Sequence, residues 1–162
     1  MDFISPARYP AEANTQIKTK TYEGGLKQFS KAFKNADREY AYEMGEQGEV
    51  YQYRVGKKHS VTPDNQRHKG TSLLHNHPSG SNFSGADLRA FANTGYKRVV
   101  AVGSKYTYTI ERTGHFNKKG FMKMLSTAKA SSDDYNKSVH KLLFENASKY
   151  GYKYSRTNTK TK

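Results

Sequence analysis

The chain has 162 residues, about one domain's worth, and carries 28 Lys and Arg against 14 Asp and Glu, a formal charge of +14. It has no cysteine, which excludes a disulfide framework, a thiol nucleophile, thiolate-bound zinc and iron–sulfur clusters. No apolar run reaches the length of a membrane span, and the first residues lack the basic and apolar stretches of a signal peptide. The positive charge favours a polyanionic partner, either nucleic acid or an acidic protein.

Residues 1–22 mix Pro, Ser, Thr and Lys without a period and read as a flexible N-terminal arm. Gly24-Gly25 breaks the chain, and Leu26, Phe29, Ala32 and Phe33 then recur at helical spacing, which predicts a helix over about 25–36. Segment 39–44 alternates, with Tyr40, Tyr42 and Met44 on one face and Glu39, Ala41 and Glu43 on the other. A turn at 45–48 and a second strand at 50–55 complete a candidate hairpin. There Tyr51 and Tyr53 either line a half-buried sheet face or stack on bases.

Residues 56–70 form a long polar loop. Its His59 and His68 are either substrate contacts or solvated side chains. The run 71–77 reads as a buried strand stopped by Pro78, and 84–95 as a helix. Strands follow at 97–103 and 106–110. The remainder reads as helical over 116–151, with one helix at Phe121, Met124 and Leu125 and another from near Ser132 to Gly151. Residues 155–162 read as a basic frayed tail. From Phe116 onward eleven Lys and Arg face only Asp133, Asp134 and Glu145, so over half of the excess charge lies there.

The segment from His75 to Asp87 carries the chemistry. Histidines at i and i+2 of a strand point to one side, and Pro78 sets them at the strand's end, where a cleft can open. Asp87, one turn into the next helix, can return a carboxylate to the same point. Two His and one carboxylate hold zinc with a fourth position left for water, whose pKa falls to about 7. Such a site also needs a base that is not a ligand. Glu39, at the start of a strand, is the first candidate and Glu43, on the same face, the reserve. Ser84 can donate to the oxyanion of a tetrahedral intermediate. Ser84-x-x-Asp87 has capping-box spacing as well, and the two roles are compatible.

These residues resemble the JAMM/MPN zinc metalloprotease signature: His75-x-His77-Pro78, Ser84-x-x-Asp87 and an upstream Glu39. The phrase His75-Asn76-His77-Pro78-Ser79-Gly80 is most similar to its RadC-like bacterial branch. The ending Ala147 to Tyr154 is similar to JAB-type domains of phage head-morphogenesis or bacterial toxin proteins. Six residues separate His77 from Ser84, one fewer than in the commonest family pattern.

The resemblance covers roughly residues 26–112 and implies an α/β (α+β) fold: a mixed, curved sheet flanked by helices in the three-layer architecture of JAMM proteins and cytidine deaminases. It implies a catalytic domain over 23–154, with its metal core at about 26–112. It implies Zn²⁺ on His75, His77 and Asp87, water activation by Glu39 and oxyanion support from Ser84. The activity implied is cleavage of a peptide or isopeptide bond in a protein or peptide substrate, by a bacterial or phage-encoded protein that is cytoplasmic or exported as a toxin domain.

The alternative is a metal-dependent nuclease or nucleic-acid-associated hydrolase acting through the basic surface. Nucleases commonly use Mg²⁺ or Mn²⁺ with carboxylates, whereas His ligation favours zinc. A non-catalytic scaffold is the third reading, and the intact His75, His77 and Asp87 weigh against it.

Overall fold

The computed structural model describes residues 19–62, 65–128 and 134–159. Helix α1 spans Tyr22–Phe33 and starts where the Thr21 hydroxyl accepts the Gly24 N–H at 3.0 Å. The helix thus begins three residues earlier than the Gly24-Gly25 pair suggests, and Tyr22 is a buried core residue rather than part of an arm. Residues 1–18 of that expected arm lie outside the described residues. The glycines serve close packing: a Cβ on Gly25 would stand 2.4 Å from the Met44 sulfur. Phe29 and Phe33 are fully buried. Burial of such a side chain contributes about 1.5–3 kcal/mol.

The sheet is built around the expected hairpin. Strand β1 (Tyr40–Met44) pairs antiparallel with β2 (Val50–Val55), Tyr42 opposite Tyr53. Strand β3 (Ser72–Asn76) joins the other side of β1, again antiparallel. Helix α2 (Gly85–Asn93) crosses to β4 (Arg98–Val102), which lies parallel to β3. Strand β5 (Tyr106–Arg112) returns antiparallel to β4. Helices α3 (Lys118–Thr127), α4 (Tyr135–Glu145) and α5 (Ala147–Tyr150) lead into β6 (Tyr152–Asn158), antiparallel to β5. The order β2-β1-β3-β4-β5-β6 makes a mixed α+β fold, as expected from the sequence.

The chain's end departs from the expectation. Residues 152–158 are a strand, so 155–158 are not part of a frayed tail, and Tyr152 is buried. Tyr152 and Tyr154 face the core while Lys153 and Ser155 face away, a period of two confined to one end of the strand. Its other residues are exposed, so its composition is that of a solvated segment. Residues 160–162 lie outside the described residues, as do Ser132 and Asp133 at the expected start of the last long helix. That helix is described from its N-cap Asp134.

Strand alternation sorts the core into two layers. Tyr40, Tyr42, Met44, Leu74, Val100 and Val102 meet α1 on one face. Ala41, Leu73, Val99, Ala101, Tyr108 and Ile110 meet α2, α3 and α4 on the other. By the same alternation Glu39 and His75 belong to the α2–α4 face. Tyr53 joins the α1 layer, its ring 5.3 Å from Tyr42, which assigns it to the sheet core. Arg98 stays charged inside the fold because Glu46 (2.5 Å), Glu111 (3.0 Å) and the face of Tyr22 surround it. Among the described residues no helix is long and apolar enough to cross a membrane.

Candidate metal centre

The site forms where β3 ends. The His77 N–H donates to the Val102 carbonyl at 2.8 Å, so the parallel ladder runs one residue past Asn76. His75 and His77 therefore stand on the same side, with ring centroids 4.6 Å apart. Pro78 has no N–H to continue the ladder. A turn closed by Gly80 N–H to the His77 carbonyl (2.8 Å), with Gly80 at φ 77°, brings the chain back over His77. The Ser81 carbonyl then accepts a hydrogen bond from His77 Nδ1 at 2.7 Å. A carbonyl only accepts, so Nδ1 holds the proton and Nε2 presents a lone pair.

Asp87 reaches this point from α2. Ser84 and Asp87 form a complete capping box: the Ser84 hydroxyl accepts the Asp87 N–H at 3.0 Å and Asp87 Oδ2 accepts the Ser84 N–H at 2.9 Å. The cap fixes the carboxylate as well as the helix. Asp87 Oδ1 lies 3.2 Å from His75 Nε2, and Oδ2 lies 3.3 Å from His77 Nε2. Burial raises the Asp87 pKa, but the two imidazoles outweigh it and hold the carboxyl well below the usual carboxylate range. Burial opposes charge on His77, and Asp87, the Ser81 carbonyl and Glu39 together raise its pKa.

The donor set fits a metal. One ligand atom from each of His75, His77 and Asp87 lies within 4.8 Å of the other two. Donors bonded to zinc at about 2.0–2.1 Å stand about 3.3 Å apart at tetrahedral angles, close to the imidazole–carboxylate separations here. His75 is buried: its Nε2 faces the Asp87 carboxylate, and its Nδ1 has no hydrogen-bond partner among the described residues. A cation held with His77 and Asp87 would satisfy Nε2.

Glu39 lines the same cleft, together with His59, Ser60, Val61, His77, Ser79, Ser81, Ser84 and Asp87, around a volume of about 210 Å³. It precedes β1 by one residue and is paired through its backbone with Gly56 and Lys57 (both 2.7 Å), so it is set as firmly as the strand. Burial raises its pKa above that of an ordinary glutamate, against the pull of His77 and His75.

Glu43 is placed elsewhere. It sits four residues along β1, about 13 Å away. Its two oxygens accept from Gln52 Nε2, the N–H groups of Arg67 and His68, and the Thr71 hydroxyl, all at 2.8–2.9 Å. It is committed to holding the loop before β3, which removes it as the reserve base. His59 is brought to the cleft, whereas His68 stacks on Tyr51 at 3.8 Å, outside it.

Four supporting residues, Asn76, Asn82, Tyr154 and His140, are not marked as such by the sequence. Asn76 Oδ1 accepts the Tyr40 N–H at 2.6 Å, and Nδ2 donates to the carbonyls of Arg38 (2.9 Å) and Phe33 (3.2 Å). Asn82, in the loop after His77, donates to the Tyr154 hydroxyl at 3.0 Å, and Tyr154 in turn meets His140 Nδ1 at 2.8 Å. The only sequence signal for Asn76 was its place between two histidines. For Tyr154 and His140 there was none, since their contacts span the chain.

No family model, curated protein or solved structure matches this chain.

Proposed function

We propose that this chain is a zinc-dependent hydrolase that cleaves a peptide or isopeptide bond in the manner of the JAMM family. The observation that carries the reading is the convergence of His75, His77 and Asp87 on one point of a cleft that Glu39 also lines. Zinc bound there would act as a Lewis acid toward the scissile carbonyl and acidify a water. The chain's own residues divide the remaining work. Ser81 orients His77, and the capping box orients Asp87. Glu39, whose anion is disfavoured by burial, is suited to take a proton from water and return it to the leaving amine. The Ser84 hydroxyl accepts from Asp87 N–H, so its own hydrogen is left for a developing oxyanion.

Two imidazoles and one carboxylate suit zinc better than Mg²⁺, which is why peptide chemistry is preferred to metal-dependent phosphodiester cleavage. The test is elemental analysis of purified protein beside His77→Ala. The wild type should hold about one zinc per chain and the variant far less. Peptide and isopeptide substrates are then screened with Glu39→Gln, which should keep the metal and lose activity. A folded wild type that takes up no zinc even when it is added back overturns the proposal.

A further inference from the structure

On the opposite face of the sheet from His75, the core layer under α1 takes in residues of β1, β2, β3 and β4, and the sheet continues beyond it through β5 and β6. A groove of about 550 Å³ runs between the helix and those strands. One wall is α1, with Leu26 and Ser30 and a row of Lys27, Lys31 and Lys34 at helical spacing. The other wall is Thr107 of β5 with Thr157, Asn158 and Thr159 of β6 and its end. Thr107 and Thr157 face each other across the ladder, and the Thr107 and Thr159 hydroxyls lie 2.8 Å apart. Among the described residues lining the groove Glu23, at one end, is the only acid, and no aromatic ring is present.

We propose that this groove binds the sugar–phosphate backbone of duplex DNA, without reading its sequence. The charge is complementary: three ammonium groups stand along one wall, facing neutral hydroxyl and amide donors on the other. From Lys27 to Lys34 the helix rises about 10 Å, which matches about three phosphates of one strand. Without an aromatic ring there is no platform for unstacked bases, so a single strand would gain little here. Contact through phosphates alone positions a duplex but carries no sequence information. This site shares no residue with the metal centre, so its test stands apart from that of the hydrolase.

The experiment measures binding of the full chain to a labelled mixed-sequence DNA duplex over a salt series. Three phosphate contacts predict a salt slope contribution of about −2.7, or an affinity loss of about 40-fold between 50 and 200 mM salt. Lys27→Gln/Lys31→Gln/Lys34→Gln should remove that contribution and leave zinc content unchanged. Lys118→Gln/Lys119→Gln/Lys123→Gln, an equal loss of charge on α3 across the sheet, should retain it. Equal losses in the two variants would overturn the proposal, because binding would then follow overall charge. No binding by folded wild type at 50 mM salt would also overturn it. So would displacement of the duplex by poly-glutamate at matched charge, which would assign the groove to an acidic protein.

Discussion

The carboxamide of Asn76 holds the main chain on both sides of Glu39. Its oxygen takes the Tyr40 N–H at 2.6 Å and its nitrogen gives to the Arg38 carbonyl at 2.9 Å. The residue between the two candidate ligands thus positions the candidate base, and the His75-Asn76-His77 tripeptide ties candidate ligands and candidate base to one strand end. Asn76→Ala leaves the Tyr40 N–H and the Phe33 and Arg38 carbonyls without this partner, at about 1–3 kcal/mol for a buried unmatched group. The expected outcome is a fall in unfolding free energy of about 3 kcal/mol by urea titration. The folded fraction should keep its zinc, while turnover falls because Glu39 is no longer fixed. A variant of unchanged stability would mean that water replaces the amide.

Glu39 and Glu43 share a strand face and differ in every other respect, so their glutamine variants should part. Glu43→Gln puts an NH₂ group where two backbone N–H groups, a hydroxyl and an amide now donate to a carboxylate. At least one donor then faces a donor, and stability should fall by about 2–4 kcal/mol with zinc retained. Glu39→Gln removes a charge that burial disfavours, so its unfolding midpoint should match or exceed the wild type's while hydrolysis is lost. Denaturation and turnover measured on the same two preparations check both arms. Equal turnover loss at equal stability would remove the distinction.

The parts legible in the sequence are those whose signal is local. Tyr40, Tyr42 and Met44 alternate with Glu39, Ala41 and Glu43, and the two sets do face opposite layers of the core. Ser84-x-x-Asp87 is both a cap and half of the metal-facing geometry, because a residue that closes a helix start is also held rigidly. The parts that were not legible depend on distant partners. β6 is a strand because β5 offers an open edge 40 or more residues earlier, a fact its own basic composition hides. Glu43 could be told from Glu39 only once the loop at Arg67, His68 and Thr71 was seen to close over it. α1 begins at Tyr22 because Arg98 and the core receive that ring, which outweighs the glycines' low helix propensity.

The C-terminal elements reach the site through His140. Asn82 donates to the Tyr154 oxygen, which leaves the phenol's hydrogen available to an unprotonated His140 Nδ1 at 2.8 Å. Burial and then Arg156 lower the His140 pKa below its ordinary value near 6.5. A lowered folded-state pKa contributes stability that is fully present above the unfolded value and lost as pH falls through the folded one. Wild-type stability should therefore decline below about pH 6.5, and His140→Gln should decline less steeply over the same range. Urea midpoints from pH 7.5 to 5 check this. Parallel curves would show that His140 does not titrate against the loop that carries Asn82.

The metal centre should also be visible as stability, because the groups that would bind zinc are held together only in the folded chain. His75 comes from β3, His77 from its end and Asp87 from α2, so the unfolded chain offers no such set. A ligand that binds only the folded state at a thousand times its dissociation constant adds about 4 kcal/mol. Chelator-stripped protein should thus melt several degrees higher when zinc is restored, and His75→Ala should show no such rise. Mg²⁺ at the same concentration should have little effect, since two of the three donors are imidazoles. A zinc-dependent rise that survives in His75→Ala would place the ion elsewhere on the chain.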